Sequence, residues 1–254
     1  MKLSFDTDEG FGQRAKLGLI VLETDESLEP EINRIAALPG VGLYHTRIPM
    51  VADVTPETLM RMKQDLPATA ATLPETMQFD VIGYGCTSAS TVIGSDAVRD
   101  AIRQARPGVQ VTDPLRATIA ACQALNVQRL GFVTPYIPEV SARMRDRLQD
   151  AGIEVAGFGS FEEQDDRIVA RISEASVLKA IETVAAQAPC DAVFVSCTNL
   201  RLLNAVEQAE AATGIPVFSS NLALAWHMLK LAGLDAEVTG PGRLLSLCSV
   251  SSFR

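Results

Sequence analysis

Four short apolar runs in the first half of the chain recur in the second half at a nearly constant spacing, and this repetition constrains the fold more than any other feature. LGLIV (17–21) returns as LGFVT (130–134), an offset of 113, and VGL at 41 follows the first run by 24 residues much as IEV at 153 follows LGF by 23. DVIGYGCT (80–87) returns as DAVFVSCT (191–198) at 111, and PGVQV (107–111) resembles GIPVF (214–218) at 107. The runs are apolar on both faces, rich in β-branched residues and separated by helical patterns, which is how parallel strands in βαβ units read.

Each half therefore offers about four strands, enough for a small doubly wound sheet. A chain of 254 residues could bury one large core or two small ones, and the repeat decides between them. The expected fold is α/β: two pseudosymmetric lobes, each a roughly four-stranded parallel doubly wound sheet with flanking helices. Residues 1–113 form the first lobe and 114–218 the second, with a linking helix from Pro114 to Leu125. A last helix, around Leu222 to Ala232, has no further strand to feed, so segment 219–254 is expected to pack back on the first lobe.

In an open parallel sheet, ligands bind beyond the carboxyl ends of the strands, where a strand gives way to a helix start. Cys86 and Cys197 stand there. Thr87, Ser88 and Ser90 follow the first, and Thr198 and Asn199 the second, offering hydroxyls, an amide and free backbone N–H groups to an anion. The same field lowers a thiol's pKa, and the thiolate is the reactive form. Two such thiols across a cleft suit proton removal from a carbon beside a carboxylate and proton return on the opposite face. The alternative for any one of them is a small buried hydrophobe, and Cys122, Cys190 and Cys248, which have no duplicate, are assigned to packing.

Asp25 follows the first strand and Tyr136 the equivalent strand of the other half. Tyr136 could hold a carboxylate oxygen or close a loop as an aromatic cap; Asp25 could face the cleft or cap the helix beginning near Leu28. His45, in a strand-like run, and His227, in the apolar helix NLALAWHMLKLAG, read as structural.

The remaining composition mainly excludes. A net charge of −9 without a basic cluster argues against nucleic acid and anionic membranes. The N-terminus MKLSFDTDEG has no apolar core and no run approaches the roughly 20 residues that span a bilayer, so a cytoplasmic location is expected. Five cysteines without CxxC spacing and only two histidines leave no disulfide framework and no zinc site, and no Gly-rich phosphate loop follows any strand.

The motifs GLIV with LEPE (28–31), GCTS (85–88), TPY (134–136), VAR (169–171) and SCTN (196–199) resemble those of the aspartate/glutamate racemase superfamily. Within it they resemble the branch of maleate cis-trans isomerase and arylmalonate decarboxylase, from about Leu17 to Gly233. The resemblance implies catalysis without a cofactor in a cleft between two lobes. In the racemases both thiols exchange protons at carbon; in the isomerase one attacks the double bond; in the decarboxylase only the second lobe's thiol is present, as a proton donor. Having Cys86, this chain is not expected to be a simple arylmalonate decarboxylase. Thr87, Ser88, Tyr136, Thr198 and Asn199 match positions that bind substrate carboxylates, and a homo-oligomer is implied, with a dimer as the default.

Two positions depart from the isomerases, which carry Asn at Asp25 and near Asp165. An acidic residue sits awkwardly beside a second substrate carboxylate. If Asp25 and Asp165 both face the cleft, the substrate is expected to carry an amino group or a single carboxylate rather than to be maleate. The leading expectation is thus a cofactor-independent racemase or isomerase acting on a small carboxylic or amino acid through Cys86 and Cys197. A decarboxylase or lyase, and a noncatalytic two-lobed binder of small acids, are the alternatives.

Overall fold

The computed structural model describes residues 1–50, 55–234, 237 and 240–247; Cys248 lies outside them. Eight strands form two all-parallel four-stranded sheets. The first holds β1 (Ala15–Leu22), β2 (Val41–Ile48), β3 (Val81–Gly85) and β4 (Gln110–Thr112) in the order β2-β1-β3-β4. The second holds β5 (Arg129–Thr134), β6 (Glu154–Ser160), β7 (Ala192–Val195) and β8 (Val217–Ser219) in the order β6-β5-β7-β8. The two sheets have the same topology, as the repeat requires, and each repeated apolar run contributes to a strand.

The central strands β1, β3, β5 and β7 are almost wholly buried, because parallel sheets are covered on both faces. Phe132, Phe194 and Phe218 stack across the second sheet with centroids 5.9 and 5.4 Å apart. The Asp that opens each repeated motif is part of this framework. Asp80 Oδ2 accepts from Lys16 N at 2.8 Å, and Asp191 Oδ2 accepts from Gln128 N at 2.9 Å and Arg129 N at 2.8 Å. Each carboxylate pins the start of the neighbouring central strand, which leaves the Cys as the repeated residue with chemistry to spare.

Cap chemistry fixes where several helices start. Thr55 and Thr58 form a capping box at α2 (Pro56–Ala71). The Asp113 side chain accepts from Arg116 N at the head of α5 (Pro114–Ala124), with Pro114 at the first helical position, where its missing N–H costs nothing. Ser219 caps α10 (Ser220–Leu231). This helix packs on α5, on α1 (Leu28–Ile35) and on β3 and β4 of the first sheet, and Gln110 Nε2 donates to Leu231 O at 2.9 Å. On these contacts we propose that α10 completes the first lobe; α5, the linker, lies against α10 and α3 (Thr87–Ile93).

Candidate active site

The first thiol corner follows the expected pattern. β3 ends at Gly85 and Cys86 is the N-cap of α3, its Sγ accepting from Ala89 N at 3.3 Å and lying 3.5 Å from Ser88 Oγ. The first amides of a helix have no intrahelical acceptor, and those of α3 are Thr87 and Ser88. Gly85 is required by close approach: a Cβ there would stand 2.1 Å from Leu28 Cδ2 and 3.1 Å from Ile20 O.

The second corner departs from the sequence expectation, because no helix starts at Cys197. The chain turns through Thr198 and Asn199, and α9 (Val206–Thr213) begins later. Cys197 instead adopts φ +127°, unusual for a residue with a Cβ. Such backbone costs about 1–3 kcal/mol and persists only where the surroundings over-determine it. Its N–H donates to Ser220 Oγ at 3.0 Å, and Asn199 N donates back to its Sγ at 3.4 Å.

Asp25 caps a helix start, as one of its sequence readings has it. Oδ1 accepts from Ser27 N and Leu28 N, each at 2.8 Å, and so caps the start of α1, while Oδ2 is buried and the Thr198 hydroxyl also acts on the carboxylate. Arg47 on β2 grips the same turn through the carbonyls of Leu22, Glu23 and Asp25. The Asp165 expectation is corrected by one position. Asp165 is partly exposed and paired with Arg167, which holds its carboxyl low, at about 2. Asp166 is the buried one, accepting from Thr24 Oγ1 at 2.5 Å.

Much of the remaining polar equipment joins segments distant in sequence. Thr87 Oγ1 donates to Ser220 Oγ at 2.8 Å, and Thr198 Oγ1 donates to Gly85 O at 3.4 Å. Asn199 accepts from Glu26 N at 2.9 Å, donates to Asp166 O at 3.1 Å, and its carbonyl accepts from Ser27 Oγ at 3.0 Å. Its amide is thereby committed to the joint rather than free for a ligand. Arg171 and Glu26 add an exposed ion pair across the same seam. Tyr136 is fixed by its backbone, whose carbonyl accepts from Ser141 Oγ at 3.1 Å and Ser160 Oγ at 2.6 Å.

Cys86, Cys197, Asp25, Asp166 and Tyr136 are all buried. The charges of Asp25 and Asp166 both act on Cys86 and on Cys197, and the Tyr136 hydroxyl bonds to Cys197 while lying within the field of Cys86. Burial dominates their titration. It pushes Cys86 up to about 12 against the favourable Ser88 and Ala89 contacts, and Cys197 well above an ordinary thiol. The expected lowering by a helix start is thus reversed, because two buried carboxylates and a dry surround outweigh a few donors. Burial likewise pushes Asp25 up to about 6, against the donors of Leu28 and Ser27, and raises Asp166. No arginine or lysine is among the groups acting most strongly on these four.

Other candidates lie elsewhere. Cys122 is buried in α5, and Cys190 is half-buried against Gly131. His227 Nδ1 pairs with Thr112 Oγ1 at 2.7 Å, and burial lowers its pKa to about 4. His45 is half-buried on β2. Among the described residues no cluster of His, Cys, Asp and Glu could hold a metal ion, and no helix is long and apolar enough to cross a membrane. Sequence reasoning missed Asp166, Arg47, Ser220 and Asn221; the signal for the last two was the polar triplet SSN (219–221) at the head of an apolar helix.

The sequence profile of arylmalonate decarboxylase matches residues 50–245, more than half of the chain. The chain belongs to the arylmalonate decarboxylase family. Within reach of this family, it is 26% identical over 246 residues to maleate isomerase of Pseudomonas putida, covering 92% of this chain and 98% of that protein. It is 31% identical over 150 residues to arylmalonate decarboxylase of Bordetella bronchiseptica, covering 58% of this chain and 62% of that protein. The solved structure of Nocardia farcinica maleate cis-trans isomerase, a cysteine-to-serine mutant with a covalently bound succinylcysteine intermediate, superposes with a TM-score of 0.82 at 26% identity, over 91% of this chain and 98% of that one.

Proposed function

We propose that this member of the family is a cofactor-independent racemase or isomerase acting at the carbon beside a carboxylate of a small acid, with Cys86 and Cys197 as its acid and base. The observation that carries the reading is that two thiols, each just beyond a central strand of a different sheet, are both buried, and that both feel the charges of Asp25 and Asp166. The isomerase relatives and the cysteine-linked intermediate in one of them support chemistry at sulfur.

In the proposed step one cysteine, as thiolate, takes the proton from the substrate carbon. The electron pair of that C–H bond spreads into the adjacent carboxylate. The other thiol then gives its proton to the opposite face of the carbon and is left as the thiolate. Nothing is oxidised or reduced, and the two sulfurs exchange roles. The amides at Thr87 and Ser88 and the hydroxyl of Tyr136 are the donors for the substrate carboxylate, whose developing charge they stabilise.

The first thiolate has to be generated in a site that disfavours it. Asp25 alone is too weak a base: burial raises its carboxyl to about 6 but pushes Cys86 up to about 12, so the proton stays on sulfur. A substrate N–H or ammonium group set between Asp25 and Asp166 would offset the carboxylate charges that add to burial in holding the thiols protonated, whereas a second carboxylate would reinforce them. The substrate class is therefore an acid with one carboxylate and a nitrogen donor, an amino acid or a cyclic derivative of one, rather than maleate.

Incubation in D2O with aspartate, glutamate, maleate, hydantoins and substituted malonates, followed by proton NMR, tests this. Deuterium at the α-carbon of a nitrogen-bearing acid, abolished by Cys86→Ser and by Cys197→Ser, is the expected result. CO2 loss from a malonate that needs Cys197 but survives Cys86→Ser would replace this reading with a decarboxylase, the activity named for the Bordetella relative.

A further inference from the structure

The chemistry above makes no use of Ser220, Asn221 or Glu31, although all three are buried polar residues beside the thiols. Ser220 Oγ accepts twice, from Cys197 N at 3.0 Å and from Thr87 Oγ1 at 2.8 Å. One hydroxyl thus touches the residue of one thiol and the immediate neighbour of the other. Asn221 Nδ2 donates to Thr198 O at 2.9 Å and to Glu31 Oε2 at 2.8 Å. Because both partners are acceptors, the amide's orientation is set. The other oxygen of Glu31 accepts from Leu202 N at 3.1 Å and Leu203 N at 3.0 Å, holding the chain that follows the second corner.

Cys197 is held in its positive-φ backbone from both sides, by Ser220 at its own N–H and by Asn221 at the carbonyl of the next residue. A strained residue needs that kind of double restraint. Helix α10 supplies both groups from its first turn, and α10 is anchored on the first sheet through α5, β3 and β4. The second lobe's thiol is therefore set from an element built on the first lobe's sheet.

We propose that Ser220 and Asn221, braced by Glu31, are the positioning residues of the two-thiol site: Ser220 couples both corners, and the Glu31–Asn221 pair fixes the Cys197 corner alone. The proposal rests on the reading that both thiols act, and its test does not require the substrate. Iodoacetamide labelling of the full-length protein, resolved by mass spectrometry, gives separate rate constants at Cys86, Cys197 and Cys122 across a pH series. Ser220→Ala frees the Cys197 N–H and the Thr87 hydroxyl, so labelling should accelerate at least fivefold at Cys197 and at least twofold at Cys86 relative to Cys122. Glu31→Gln places an amide donor against Asn221 Nδ2 and should accelerate Cys197 at least threefold while leaving Cys86 unchanged.

Glu210→Gln is the control for loss of packing, since Glu210 is a buried carboxylate that accepts from Val217 N and Arg243 N and pairs with the Arg243 guanidinium. It should leave the Cys86 and Cys197 rates as they are. Acceleration spread equally over Cys122, or a Glu31→Gln protein that folds with an unchanged Cys197 rate, would overturn the proposal. Should Ser220→Ala fail to fold, Glu31→Gln decides alone. Once a substrate is known, Ser220→Ala should lower kcat at least tenfold with KM within twofold. Thiol labelling that follows the expected pattern in a protein inactive on every acid would count against the isomerase reading and leave the positioning role standing.

Discussion

Asp25→Asn should make the protein's stability less sensitive to pH. The carboxyl of Asp25 is pushed from 3.8 to about 6, chiefly by burial, with the Leu28 and Ser27 amides opposing. Between those two values the folded state binds more protons than the unfolded state, so stability falls as pH rises through the window and stays low above it. The full effect is about 3 kcal/mol, of which about 2 kcal/mol falls between pH 4.5 and pH 8. Asparagine cannot ionise, and its Oδ1 still serves the Ser27 and Leu28 N–H groups. The buried Nδ2 adds a cost, but one that does not vary with pH and cancels in the comparison. Urea unfolding followed by the fluorescence of Trp226, the single tryptophan, at pH 4.5, 6 and 8 gives the difference between variant and parent at each pH. That difference should shift in favour of Asp25→Asn by about 2 kcal/mol from the lowest to the highest pH. A difference flat to within about 0.5 kcal/mol, or one drifting the other way, would refute the claim that Asp25 is held at the site against its own desolvation.

Three further outcomes follow from the geometry. Cys197→Gly should lose activity as completely as Cys86→Gly yet unfold at higher urea, by about 1–2 kcal/mol, because glycine relaxes the φ of +127° at 197 while Cys86 has an ordinary extended φ of −147°. Gly85→Ala should destabilise by about 1–3 kcal/mol and slow turnover, since the new methyl overlaps Leu28 and lies just ahead of Cys86; wild-type stability there would show that Leu28 can step aside. Asp166→Asn should raise activity on dicarboxylates such as maleate at least tenfold relative to nitrogen-bearing acids, whereas Asp165→Asn, altering a partly exposed carboxylate paired with Arg167, should leave the ratio of kcat/KM values unchanged.

The sheets were readable because the central strands β1, β3, β5 and β7 are buried apolar runs, and the repeat made the second set legible from the first. The Cys-Thr corners were readable for the same reason. What the sequence left hidden depends on contacts between distant segments. Choosing Asp166 over Asp165 takes the half-turn of chain that aims one carboxylate at Thr24 and the other at Arg167. The positive φ of Cys197 is imposed by Ser220 and Asn221, more than 20 positions away, and nothing in SCTN announces it. The thiol titration was misjudged because local sequence displays the helix start that lowers it, while the burial that raises it is assembled from both lobes.

The seam between the lobes bears on how fast any such catalyst can run. Cys86 and Cys197 are 2% and 5% exposed, and the bonds from Thr24 to Asp166, from Asn199 to Glu26 and Ser27, and from Arg171 to Glu26 tie the two halves of the chain together. With the sulfurs this little exposed, a small acid has to part the two halves to reach them and again to leave. Each turnover then includes two diffusive excursions of one lobe against the other, so kcat should decline as trehalose thickens the solvent, even though the proton transfers themselves are indifferent to viscosity.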